Sequence, residues 1–203
     1  LYNETNGRAI LPTPSIGGVG LIDDFRASAT LAFKGPDETI LLVGETTGWL
    51  GQSMYLREIC GREEGAPPPV DLTEERENGD FVRALILDGT ATAVHDLSDG
   101  GLLVGLAEMA IASGIGAELS AAPSDIPAHA HWFGEDQARY LATVPAANAE
   151  TVLARARAAS VPVWTIGKTG GDALTLANER PILVTILRKC FDSWLPAYMA
   201  GEL

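Results

Sequence analysis

The stretch VPVWTIGKTGGDALTL, residues 161–176, decides what kind of sheet this chain builds. Val161 to Ile166 is an apolar, β-branched run, Ala173 to Leu176 is a second, and Gly170 and Gly171 supply a turn between them. Two strands joined so closely predict an antiparallel hairpin. Elsewhere strand and helix signals interleave, which alone would predict a doubly wound parallel sheet. The hairpin at Ala173, with tandem extended segments near 165 to 185, instead predicts an α/β (α+β) fold with a mixed β-sheet packed with helices.

Working outward, Ala138–Val144 (ARYLATV) and Thr90–Asp96 (TATAVHD) read as strands, as do residues 115–119 and Thr39–Val43. Pro145 suits the first turn of a helix whose stripe is Val152, Leu153 and Ala156. An apolar helix runs from about Gly101 to Ser113 and stops at Gly114. Asp71 stands three residues before Glu74, as in a capping box, and opens a helix through Phe81, Val82, Leu85 and Ile86. Leu50, Met54, Tyr55 and Ile59 predict a helix over Trp49–Ile59 with Gly61 past its end, and GREEGAPPP after it is a loop. Gly18–Ile22 reads as a buried strand whose glycines serve close packing, and a last helix after Thr185 carries Leu187, Phe191, Leu195 and Met199.

Composition narrows the function classes. With 203 residues and 46% hydrophobic side chains the chain can bury a core. Its net charge of −13, without a basic run, excludes a nucleic-acid surface. Small anions remain admissible, because loop amides and helix N-termini hold phosphate without net positive charge. No apolar run reaches the length of a membrane span. Cys60 and Cys190 stand apart and outside any C-x-x-C, which fits a reducing, cytoplasmic compartment. Beginning on Leu1 without a Met, the chain reads as a piece excised from something longer.

The chemistry concentrates in VHDLSDGGL, Val94–Leu102, at a strand-to-helix junction. Gly100 and Gly101 let amides approach a ligand, and Asp96 and Asp99 are hard oxygen donors for Mg²⁺ against a polyphosphate. Asp99 as a plain helix cap is the competing reading. Glu135, Asp136 and Gln137 form a second acid-rich point before a strand, although ordinary turn chemistry also uses such residues. Leu50-Gly51-Gln52-Ser53 would present a helix N-terminus to an anion, but any helix start needs such small polar residues. His129 and His131 lack a third ligand nearby and read as a surface or partly packed pair. Neither Walker nor Rossmann spacing occurs around Gly17, Gly18 and Gly20, and no nucleophile signature appears.

LYNETNG, PTPSIGGVGLIDD, LGQS, PPPVDL, HDLSDGGL, FGEDQARYL and IGKTGG follow one another along nearly the whole chain. Together they resemble the C-terminal part of the phosphoribosylformylglycinamidine synthase family, in the superfamily of aminoimidazole ribonucleotide synthase. The resemblance implies two tandem ATP-binding modules, with residues 15–203 the C-terminal α/β domain of the second. Residues 1–14 are then the end of the preceding N-terminal sheet domain and a linker. It also implies an ATP-dependent ligase of purine biosynthesis that turns formylglycinamide ribonucleotide, ATP and glutamine into the amidine, ADP, phosphate and glutamate.

By that resemblance the cofactors are Mg²⁺ and ATP or ADP. The partners are the rest of the same polypeptide, a glutaminase subunit or domain, and a small nucleotide substrate. Asp96 is the counterpart of the family's metal-binding aspartate. His95, Ser98, Asp99, Gly100, Gly101, Glu135 and Gln137 fall on its nucleotide and phosphate motifs. No catalytic residue is assigned to this chain, and the isolated chain is expected to be inactive. A structural or regulatory auxiliary nucleotide module, or a superfamily member with another substrate, are the alternatives.

Overall fold

A computed structural model describes residues 3–10, 15–123 and 125–202. Leu1, Tyr2, Pro12 and Pro14, and with them parts of the predicted linker, lie outside the described residues. A two-residue hairpin comes first, β1 (Glu4–Thr5) against β2 (Arg8–Ala9), around Asn6 and Gly7, both at positive φ. The main body then runs β3 (Glu38–Val43), α1 (Leu72–Leu87), β4 (Ala93–Asp96), α2 (Gly101–Ser113) and β5 (Ala117–Leu119). It continues with α3 (Ala128–Phe133), β6 (Tyr140–Pro145), α4 (Ala149–Ala158), β7 (Val163–Thr169), β8 (Ala173–Leu176), β9 (Ile182–Leu183) and α5 (Val184–Ala200).

Seven strands form one sheet in the order β4-β6-β3-β7-β5-β8-β9. Among the described strands β5 and β8 pair in parallel and the other neighbours are antiparallel, so the sheet is mixed. Alternation along β3 divides the interior. Ile40 and Leu42 join Leu102, Leu106, Met109 and Trp132 on the side of α2 and α3. Leu41 and Val43 join Phe81, Leu85, Val144 and Val152 on the side of α1 and α4. The β3 side chains from Ile40 to Val43 are buried because helices cover both faces.

The predicted hairpin does not form. β5 enters between β7 and β8, and Gly116 is the reason it can: its amide donates to Gly171 O at 2.9 Å, and Gly170 N donates to its carbonyl at 2.8 Å. A Cβ on Gly116 would come within 2.1 Å of Ala173 O, so only glycine lets the turn close around this strand. Register along β3 also slips beside Ile40 and Leu41, a bulge that pairs them with Gly167 and Thr165.

Other expectations shift as well. Gly18–Ile22 is not a strand: Val19 and Leu21 are 100% and 97% exposed, and nothing lies within 4 Å of a Cβ placed on Gly17, Gly18 or Gly20. An apolar run becomes a buried strand only by pairing with a strand edge, and among the described residues this one pairs with none. The Trp49–Ile59 helix shrinks to a wide π-helical turn over Tyr55–Ile59, since Gln52 N donates to Glu64 O and Ser53 N to Leu50 O, which hold the segment before it in turns. Pro145 ends β6 and precedes a short 3₁₀ turn, Ala146–Asn148, rather than sitting inside a helix. The capping prediction at Asp71 is met, its carboxylate accepting from Thr73 N and Glu74 N at 2.7 and 3.2 Å. Helix α5 keeps Val184 buried, while Phe191, Trp194, Leu195, Tyr198 and Met199 face outward.

Candidate functional site

The neighbours His95 and Asp96 stay in contact at the end of β4, His95 Nδ1 lying 3.4 Å from Asp96 Oδ1. His95 turns toward α2, with Nε2 2.7 Å from Glu108 Oε2. Asp96 lies opposite Tyr140 in the β4–β6 register and opens onto a cleft of about 200 Å³. Glu75, Ser98, Gln137, Arg139 and Tyr140 help to line it. Burial, and then the carboxylates of Glu75 and Asp96, push the Tyr140 phenol up from its usual range. Asp96, Ser98 and Gln137 therefore share one cleft, the His95 ring stands between Asp96 and Glu108 of α2, and Asp99 is exposed.

Asp99 is not the helix cap. The chain turns left-handed at Gly100, φ 81°, and no side chain caps α2 from that position. Instead Glu135 reaches in from before β6, and its Oε1 accepts from Gly100 N and from Met54 N, both at 2.8 Å. The other glycine amide, Gly101 N, donates to Ser98 O at 3.1 Å. Gly101 must be glycine twice over: its φ is +70°, and a Cβ would lie 2.4 Å from Gly134 O. Both amides at this junction thus have partners within the chain.

Asp136 and Arg139 were not legible as a pair, and they form the buried support of the site. Asp136 Oδ1 accepts from Thr47 N at 3.2 Å, from Trp49 N at 3.3 Å and from the Thr47 hydroxyl, while Oδ2 accepts from Gly48 N at 3.1 Å. Arg139, fully buried, donates to Gly134 O at 2.6 Å, Asp136 O at 3.2 Å and Thr46 Oγ1 at 3.0 Å, and lies 3.7 Å from the Asp136 carboxylate. Burial pulls the guanidinium down from its usual value, and Asp136 and then Glu135 oppose that. The one signal in the sequence is an Asp and an Arg three apart at the mouth of an apolar strand. Helix α3 was also missed; it buries His131 beside Trp132 and leaves His129 exposed, stacked on Tyr55 at 5.6 Å. Ser53 is buried, and its hydroxyl accepts from Leu56 N at 3.3 Å, closing its own turn.

Among the described residues no three His, Cys, Asp or Glu side chains gather closely enough to hold a metal ion by themselves. The Asp96 cleft offers oxygen donors, and Mg²⁺ typically takes one or two carboxylates and completes its shell with phosphate oxygens and water. Asp96, exposed at the end of β4, fits that partial role.

A mixed sheet covered by helices on both faces, with a polar cleft where a strand runs into a helix, defines an α/β domain. The chain belongs to the family described as AIR synthase related protein, C-terminal domain, which it matches over residues 35–176. It is 68% identical over 202 residues to the phosphoribosylformylglycinamidine synthase subunit PurL of Bradyrhizobium diazoefficiens, covering all of this chain and 27% of that protein. The corresponding subunit of Azorhizobium caulinodans is 64% identical, with 28% of its length covered. The chain therefore spans about a quarter of the length of these curated relatives. Its fold is like that of Thermotoga maritima PurL complexed with ATP, at a TM-score of 0.64 and 17% identity over 81% of this chain and 28% of that one.

Proposed function

We propose that this chain is the C-terminal domain of the second module of a phosphoribosylformylglycinamidine synthase, with residues 15–203 as the domain and 1–14 as the end of the preceding one and a linker. The observation that carries this reading is the identity to PurL subunits along the entire chain. The reaction belongs to the whole polypeptide: formylglycinamide ribonucleotide, ATP and glutamine give the amidine, ADP, phosphate and glutamate. A glutaminase subunit or domain and the preceding modules are the partners, in the cytoplasm. Solved PurL complexes with ATP and ADP support the nucleotide.

In this reading Mg²⁺ neutralises phosphate charge when bound, with Asp96 as its ligand. Ser98, Asp99 and Gln137 present polar groups near the same junction, His95 braces the strand end through Glu108, and Gly100, Gly101 and Glu135 keep the start of α2 in place. The chain supplies binding and position, and no residue in it acts on the reacting atoms. Full-length enzyme carrying Asp96→Ala should lose bound nucleotide with little change in melting temperature. Unchanged nucleotide content and turnover in both Asp96→Ala and Glu135→Ala would sink the site assignment.

One observation favours a second reading, a nucleotide held for structure alone: Glu135 and Ser98 already satisfy the two glycine amides. Stripping nucleotide from the native full-length protein and then melting it separates the two. Loss of stability before loss of turnover supports the structural version.

A further inference from the structure

Ala138 stands between Gln137, which lines the Asp96 cleft, and Arg139, whose guanidinium is held inside the fold by Gly134 O, Asp136 O and Thr46 Oγ1. Residues two apart on an extended strand share a face. Here the chain turns left-handed at Ala138, φ 57°, and the two side chains diverge, one to the cleft and one to the interior. That conformation crowds a Cβ against the backbone, and glycine, asparagine or aspartate usually takes it. Of the described non-glycine residues at positive φ, Ala138 alone lacks a polar side chain. The groups that hold it there belong to another element.

Helix α1 supplies them. Glu75 Oε1 accepts from Ala138 N at 3.0 Å, and Asn78 Nδ2 donates to Ala138 O at 2.9 Å. The two side chains are three residues apart, hence on one face of the helix that the Asp71 cap starts, and together they grip both backbone polar groups of a single residue. Asn78 and Ala138 are buried, and the carbonyl is closely walled on the side of β3: a Cβ on Gly44 would come within 2.5 Å of Ala138 O. Rotation of Ala138 to an extended φ would give up these hydrogen bonds where water cannot replace them all.

We propose that Glu75 and Asn78 are positioning residues of the nucleotide cleft: by clamping the Ala138 backbone left-handed, they present Gln137 to the side of Asp96. The nature of the ligand rests on the synthase reading; the clamp rests on the two hydrogen bonds. The test uses the full-length enzyme and two measurements, crystal structures of the variants and calorimetric affinity for ADP with Mg²⁺ at the site that Asp96→Ala removes. Glu75 is half-buried, so Glu75→Ala keeps the test free of folding failure. Glu75→Gln keeps an acceptor oxygen and removes the charge, and Asn78→Asp keeps the shape and removes the donor.

Glu75→Ala should weaken ADP binding about tenfold, and its crystal structure should show Ala138 out of the left-handed region and Gln137 turned away from the cleft. Asn78→Asp should act alike, while Glu75→Gln stays near wild type because the hydrogen bond matters and the charge does not. Ala138→Gly added to Glu75→Ala should recover part of the affinity, since glycine takes a positive φ without a Cβ clash. Ala138 still at positive φ with Gln137 in the cleft of Glu75→Ala overturns the proposal. Equal losses in Glu75→Gln and Glu75→Ala, no recovery by Ala138→Gly, or a lowered melting temperature with ADP affinity unchanged overturn it as well. If Asp96→Ala removes no ADP site, the nucleotide reading fails instead, and the crystal structures still decide the clamp.

Discussion

Glu135 Oε1 sits 2.8 Å from the amide of Gly100, where a bound anion would otherwise meet the start of α2. The same oxygen takes Met54 N, so one carboxylate ties the turn at residue 54 to the β4–α2 junction. Glu135→Ala leaves two amides without their acceptor, one of them on buried Gly100, and should cost about 1–3 kcal/mol. Glu135→Gln keeps an acceptor oxygen and should cost less. Urea unfolding of the full-length protein measures both; equal midpoints for the alanine variant and wild type would show that the tie contributes nothing.

Removal of Arg139 should be among the most damaging single changes. Its side chain is fully buried, and three carbonyl or hydroxyl acceptors, together with the Asp136 carboxylate, depend on it. Arg139→Ala is expected to cost about 3–5 kcal/mol, because it strands a buried charge and opens a void. Asp136 retains the amides of Thr47, Gly48 and Trp49, which limits the loss. A chemical-denaturation midpoint within error of wild type would contradict this account.

The parts of this molecule that follow local rules were legible in the sequence. Asp71 before Glu74 starts α1, and Gly114 after an apolar run stops α2, because caps depend on a few adjacent residues. The pairing of β8 was not legible. It depends on Gly116, more than fifty residues from the turn that wraps it, and the Gly170-Gly171 pair looks the same whether the next strand folds back or crosses over. Gly18–Ile22 has the composition of a buried strand, yet nothing in the run itself says whether an edge is available to it. In the site, Asp96 and Gln137 were found as residue types, while the capture of Glu135 by Gly100 and Met54 is a tertiary fact without a spacing signal.

His131 should make the fold sensitive to mild acid. Burial, the largest influence, and Arg139 lower its pKa below the ordinary 6.5, against Asp125 and Asp136. The unfolded chain then takes up a proton first, so the stability associated with the neutral ring is present above about pH 6.5 and is lost as pH falls toward the folded value. Stability of the full-length protein measured between pH 7.5 and 5 should decline less steeply in His131→Phe than in wild type. Parallel declines would remove His131 from the explanation.

Tyr140 gives a direct reading of charge in the Asp96 cleft. Its phenol is raised by burial first and then by Glu75 and Asp96, so neutralising Asp96 should move it back toward 10. The sign for stability is the reverse of the His131 case in pH. A raised tyrosine contributes stability that is present below about pH 10 and lost as pH rises through the folded value, because the unfolded chain deprotonates first. Ultraviolet titration of Asp96→Asn against wild type, with Tyr140→Phe subtracted from each, isolates this phenol. The expected outcome is a downward shift in the asparagine variant and a later loss of stability at alkaline pH in Tyr140→Phe than in wild type. An unchanged titration would mean that the Asp96 charge does not reach the cleft, and that the oxygen-rich face available to Mg²⁺ is smaller than the geometry indicates.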